Sequence, residues 1–338
     1  MSPRKAFFMP RSATRRRAFA AALACAAMLS ACTGNADDGP DGGAATATPV
    51  VAPSAADSSA QSAVSAAVAA STDVTAAGAA ARAKAFTGSA LVSANAAAKM
   101  LPGRTAGEKA DAEVSTEGVK VLAVSRAGDT PAQILAQTTL KKTGAPVLVL
   151  LTAKTPAGPY QVAALTPVLP SAKIDSFDPT IDGSPAIGNG KGLAATPDEV
   201  VASFADSVRF PGPATSKLLA VDPFTEQLRQ SASAQSQALN NQGTFTQSWT
   251  PKDVIGGVRL KDGQGAIVFA DLERHDAIAM RTPQKLTPDK ELTLLTGIKQ
   301  ITSEAKLTSN EIIAIVIPAS GQSRVVAASD QIVAGSGR

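Results

Sequence analysis

Hydrophobic and polar positions change their period several times along the chain, and each change marks an element. Residues 62–84 are Ala-rich, with Val64 and Val68 one turn apart, which predicts a helix running through Gly78. "SALVSANAAAKM" (89–100) predicts a second helix, stopped by "LPG". The pattern then becomes β-type in "GVKVLAVS" (118–125), "AQILAQTTLKK" (132–142) and "PVLVLLTAK" (146–154). "YQVAALTPVLP" (160–170) follows through the turn "TPAG" (155–158), as the second strand of a hairpin.

After a Gly/Pro/Asp-rich stretch the series starts again. Thr196-Pro197-Asp198-Glu199 has Thr to cap, Pro at the first helical position and Glu to complete a capping box. Val200, Val201, Phe204 and Val208 fall on one face of that helix, and another helix is expected from Asp222-Pro223 to about Asn240. Beyond Trp249, strands are expected at "VIGGVRL", "GAIVFADLER", "AIAMR" and "ELTLL", and in "EIIAIVIPASGQSRVVAASDQIV".

Helices followed by strands therefore occur twice. The two closing hairpins align as well: "VLVLLTAKTPAGPYQVAALTPVLP" (147–170) against "IIAIVIPASGQSRVVAASDQIVA" (312–334), with one gap and Val-Ala-Ala in common. Strands joined by short turns pair antiparallel, so the expected class is α+β. The expectation is two tandem units, 59–170 and 196–335, joined by a connector at 171–195. Each unit would pack N-terminal helices on a curved antiparallel sheet, as cystatin-like and nuclear-transport-factor-like folds do by analogy.

The N-terminus reads differently. Residues 1–31 hold Arg4, Lys5, Arg11, Arg15, Arg16 and Arg17 and no acid, followed by "AFAAALACAAMLSA", about fourteen apolar or small residues. That run is short of the roughly twenty that span a bilayer. Basic head, short apolar run and small residues predict a secretory signal, 1–31. Its end, Leu29-Ser30-Ala31-Cys32, resembles the bacterial lipobox, which implies diacylglyceryl transfer to the Cys32 sulfur, cleavage before it and acylation of the new amine. Arg16, Arg17 and Phe19 also match a twin-arginine signal, with Ala20 in place of the usual apolar residue, so both export routes stay open. Residues 32–58, rich in Gly, Pro, Ser, Thr, Ala and Asp, read as a disordered tether with a reach of roughly 25–30 Å.

Removing the signal alters the charge. It takes six of the 32 Lys+Arg and none of the 28 Asp+Glu, so 26 face 28 in the mature chain. The basicity belongs to the signal, and no nucleic-acid partner is expected. Only Cys32 of the two cysteines would remain, so no internal disulfide is expected. Aromatics make up 4%, which leaves a core of Val, Ile, Leu and Ala.

Candidate chemistry is sparse, and no catalytic, metal or cofactor residue is assigned. His275 is the only histidine, and without a retained thiol it reads as satisfied or solvent-facing. "GNGKG" (188–192) lacks the first Gly and the final Ser/Thr of a phosphate loop. Asp271, Glu273 and Asp276 form a local acidic cluster. Alternation puts Asp271 and Glu273 on one strand face, expected to be solvated, and only a weak hydrolase reading attaches to them. Trp249 and Tyr160 read as packing residues.

"FTGSALVSANAAAKM" (86–100), "VSRAGDTPAQIL" with the "VLVLLTAK" hairpin, and "VRLKDGQGAIVFADL" (258–272) resemble an uncharacterised family of actinobacterial lipoproteins, a domain of unknown function. The resemblance spans about residues 60–335 and implies no activity or cofactor. The expectation is a lipid-anchored protein on the extracytoplasmic face of the cell membrane, non-enzymatic, acting on an unidentified envelope protein. The alternative is a carrier enclosing an apolar ligand such as a lipid, and a hydrolase ranks third.

Overall fold

The computed structural model describes residues 47–338 except 171, 213–215 and 284. The export signal with Arg15, Arg16 and Arg17, and the lipobox Leu29, Ser30, Ala31 and Cys32, lie outside the described residues.

Helix α1 (Pro53–Thr72) starts inside the segment read as tether. Composition suggested too little to bury, yet Ala56, Ala60, Ala63, Val64, Ala67 and Ala70 form a small-residue stripe that lies close against the core. The helix expected over 62–84 is broken at Asp73–Thr75 and resumes as α2 (Ala76–Ala85), capped by Thr75. Gly78 packs against the break itself: a Cβ there would lie 2.2 Å from the Asp73 carbonyl oxygen. Buried Arg82 donates to the Ala70 and Asp73 carbonyls, satisfying the acceptors that α1 leaves open at its C-terminus. Helices α3 (Gly88–Met100) and α4 (Ala106–Ala112) follow.

The architecture is α+β, with helices preceding each of two four-stranded antiparallel sheets. The first contains β1 (Lys120–Val124), β2 (Ala132–Thr139), β3 (Pro146–Ala153) and β4 (Gln161–Pro167), in that spatial order. After α5 (Pro197–Val208) and α6 (Pro223–Leu239), the second contains β5 (Gly243–Arg259), β6 (Gly265–Met280), β7 (Glu304–Pro318) and β8 (Arg324–Gly337). The capping box at Thr196 and Glu199 is formed as its spacing implies.

Three rows of paired residues correspond across the sheets. Val121–Ala136–Val149–Leu165 matches Val254–Ala270–Ile313–Ala328, and Ala123–Leu135–Leu150–Ala164 matches Gly256–Phe269–Ala314–Ala327. Val124–Ile134–Leu151–Val162 matches Gly257–Val268–Ile315–Val325. Between the first and second rows, β1 and β5 each insert one residue, Leu122 and Ile255. Between the second and third, β4 and β8 insert Ala163 and Val326. The bulge positions place the closing hairpins one residue away from the alignment that Val-Ala-Ala suggests.

The sheets pack face to face. Ile267 and Phe269 of β6 and Ile312, Ala314 and Val316 of β7 share one core with β2, β3, β4 and α1. The alternate residues Ala266, Val268, Ala270, Ile313, Ile315 and Ile317 pack on Val200, Phe204 and Val208 of α5. Gly257 N–H donates across the interface to Gln133 Oε1 at 2.9 Å. Residues of both segments thus meet in one core.

The connector is also not a loose joint. Ser184 N–H donates to the Val124 carbonyl at 2.7 Å and Arg259 N–H to the Pro185 carbonyl at 2.8 Å, so it laces the β1 edge to the β5 edge. At the opposite side Leu169 N–H donates to the Val326 carbonyl at 2.8 Å, linking β4 to β8. These are isolated bridges between open sheets.

Two expectations about strands fail. "ELTLL" belongs to α7 (Lys290–Thr296), where Asp289 caps Leu292 N–H and Gly297 (φ 76°) ends the helix. These end signals outweigh the apolar alternation. "GAIVFADLER" and "AIAMR" are one strand, β6, and β5 begins at Gly243, before Trp249.

Candidate functional site

The second sheet is longer than the first, and its extra length carries charge. Along the side of β6 that faces α5 and α6, apolar Val268, Ala270 and Leu272 give way to Arg274 and Asp276, then to Ile278 and Met280. Cross-strand pairing brings Trp249 and Ser309 beside Arg274, Gln247 beside Asp276, and Glu311 between Leu272 and Asp330. Period-two alternation turns Phe245, Gln247 and Trp249 inward on β5.

Arg274 is the centre of this network. Its Nη1 lies 3.0 Å from Asp330 and 3.9 Å from Glu311, and its Nε lies 3.2 Å from Asp276. Its Nη2 donates to Ser309 Oγ at 3.3 Å. The Trp249 indole N–H donates to Glu311, and Gln247 Nε2 donates to Asp276 at 2.7 Å. Glu311 is 1% exposed, whereas the Asp330 side chain is 43% exposed and opens the network to solvent.

Burial opposes the Arg274 charge, and Asp330, Asp276 and Glu311 outweigh it, so its pKa rises. Burial raises the Asp276 pKa, with Arg274 partly offsetting it. For Glu311 burial again dominates; Asp330 and Asp276 reinforce it, Arg274 and Trp249 oppose it, and the pKa is pushed up to about 7. Gln247 Oε1 is buried and accepts no hydrogen bond. Three carboxylates thus contact the Arg274 guanidinium.

The acidic residues singled out in the sequence do not form one cluster. Asp276 faces α6, while Asp271 and Glu273 face the opposite side, as alternation requires. Asp271 is not solvated: α3 covers it, the Ser89 hydroxyl donates to its Oδ2, and its buried Oδ1 has no partner. Burial raises the Asp271 pKa, and the Ser89 hydrogen bond opposes this. Glu273 pairs with Lys252 at 2.7 Å. His275 is exposed on β6, between Ser248 and Thr308.

"GNGKG" is a packed turn before α5: a Cβ on Gly190 would meet Pro197 Cδ at 2.7 Å, and the Ile187 and Lys191 carbonyls accept from Arg259. Tyr160 lines an open cleft of about 740 Å³ between α1, α2 and residues 157–160, with Ser62, Ala66, Ala70 and Lys84. Trp249 is buried, but it is more than filler because its N–H serves the ionic network.

Sequence reasoning missed Arg274, Glu311, Asp330 and Gln247. A signal existed in Glu311, which directly precedes the apolar run "IIAIVIP", but its partners come from three other strands. Among the described residues no group of three or more His, Cys, Asp or Glu is arranged to hold a metal ion. No described helix is long and apolar enough to cross a membrane. No protein-family model, curated protein or solved structure matches this chain.

Proposed function

We propose that this chain is a non-enzymatic binding protein, lipid-anchored at Cys32 on the extracytoplasmic face of the cell membrane, that engages another envelope protein. The carrying observation is that both faces of both sheets are used in packing. Val147–Leu151 are all fully buried, and Ile313–Ile317 are too. A carrier of the curved-sheet type needs one sheet face to line a cavity; here that face meets the other sheet. Recognition then falls to the outer helices, the loops and the long arm of the second sheet.

The body reads as a tandem duplication of one helix-plus-sheet unit. Equal strand order and coincident bulges in the first and last strands support this, since a bulge fixes register at one residue. The likeness to cystatin-like and nuclear-transport-factor-like folds is one of element order and carries no function. Anchoring rests on the lipobox and on the lipoprotein family that the sequence resembles.

Mass spectrometry of the protein extracted from its membrane tests both parts. The N-terminal peptide is expected to begin at Cys32 and carry diacylglyceryl, and the native mass to show no apolar small molecule in the folded body. Crosslinking in intact cells is expected to give one discrete protein adduct. A lipid retained at unit stoichiometry would replace the reading with a carrier, and an unmodified N-terminus would remove the anchor.

A further inference from the structure

The face of the second sheet beneath α6 is divided into three bands. Phe224 and Leu228, early in α6, pack on the cluster that contains Trp249 and Leu272. Ala232 and Leu239, later in α6, pack on Phe245, Ile278 and Met280. The ionic network lies between, so one helix bridges two apolar contacts across a buried charged band.

The four strands of the second sheet supply the polar groups of that band. From β5 come Trp249 and Gln247, from β6 Arg274 and Asp276, from β7 Ser309 and Glu311, and from β8 Asp330. The buried stripe of α6 is Thr225, Ala232 and Leu239, and Arg229 falls on it by helical spacing. Helix α5 presents Val200, Phe204 and Val208 and no titratable group. Of the three carboxylates that contact Arg274, Glu311 and Asp276 are withdrawn from solvent, and charging both beside one guanidinium is costly. Gln247 donates to Asp276 through Nε2, and its buried Oε1 accepts no hydrogen bond.

We infer that this network is a proton-binding site, with Glu311 holding the proton, and that releasing the proton loosens α6 from the second sheet. The proton leaves for solvent past Asp330, the exposed member. Once Glu311 is charged, it faces Asp330 directly across the β7–β8 pair and Asp276 across Arg274. Its preferred ionisation near neutrality places the transition where modest acidification or alkalinisation reaches it.

The molecule contains its own reporter. Trp249 is the only tryptophan in the chain, and its indole N–H donates to the Glu311 carboxylate. Its fluorescence, followed on the full protein from about pH 5 to about pH 9, is expected to titrate with a midpoint of about 7. Hydrogen exchange across α6 is expected to speed up with the same midpoint after correction for intrinsic rates. Glu311→Gln, neutral at every pH, should abolish both transitions, and Asp330→Asn, at the exposed edge, should move both midpoints downward. A flat fluorescence profile, a transition that persists in Glu311→Gln, or an α6 exchange rate independent of that midpoint would overturn the inference. If Glu311→Gln does not fold, agreement of the two wild-type midpoints and the Asp330→Asn shift decide it alone.

Discussion

In the first sheet β2 turns into β3 through residues 140–145, whereas in the second β6 runs on to Met280 and β7 returns only from Glu304, with α7 between them. Over the rows that correspond, the two sheets carry small or apolar residues and serve each other as core. Beyond those rows the first sheet ends within three pairs, at Thr139–Pro146, whereas the second runs on to Gly243–Met280. Charge enters at Glu311, level with Val147 of the first sheet, and continues into the part that the second sheet has alone, with Gln247, Trp249, Arg274 and Asp276. Alike regions hold the fold together. The added region contains the charges that packing does not require, since burying an ion pair is weak evidence for stability.

The strongest way to break this comparison is Arg274→Ala. It leaves three carboxylates without the guanidinium that they contact, and the expected cost is about 3–5 kcal/mol in urea denaturation near neutral pH. The sign with pH follows from linkage. Glu311 and Asp276 have raised folded pKa values, so the folded state holds more protons than the unfolded state above the ordinary carboxylate range. Stability contributed by those groups is therefore full at low pH and lost as pH rises towards about 7. The Arg274→Ala cost should shrink on acidification, and a loss below about 1 kcal/mol at neutral pH would mean that the network is solvated.

A smaller change sharpens the comparison within the shared rows. Ala123 in the first sheet corresponds to Gly256 in the second, where a Cβ would lie 2.8 Å from Gln133 Oε1. Gly256→Ala should destabilise by about 1–3 kcal/mol with no pH dependence between about pH 5 and about pH 8. A neutral result would show that the sheets are not held this closely.

The shared rows were legible in the sequence because their signals are local. "PVLVLLTAK" and "EIIAIVIP" are apolar runs of strand length, and Thr196 with Glu199 announces a helix within four residues. Errors came where distance decides. Ala56 read as tether because alanine shows no strong preference for burial, and only the sheet beneath it makes the stripe of Ala56, Ala60 and Ala63 a core. "ELTLL" alternates like a strand, but Asp289 and Gly297 flank it as helix ends. Arg274 stood next to Glu273 and Asp276 in the sequence, and nothing local distinguishes its partners. Pairing of four strands brings Trp249, Glu311 and Asp330 to it across as many as 56 positions.

Residue-resolved hydrogen exchange at about pH 5.5 and about pH 8.5, expressed as protection against intrinsic rates, tests the central claim most directly. The account predicts that β2, β3 and the matching part of β7 keep one high protection at both values, because they share a core without titrating groups. Helix α6 and the β6–β8 residues around Arg274 are predicted to lose protection at the higher pH. Equal loss in both sheets, or none in the extension, would contradict the division into a shared apolar body and a proton-sensitive arm.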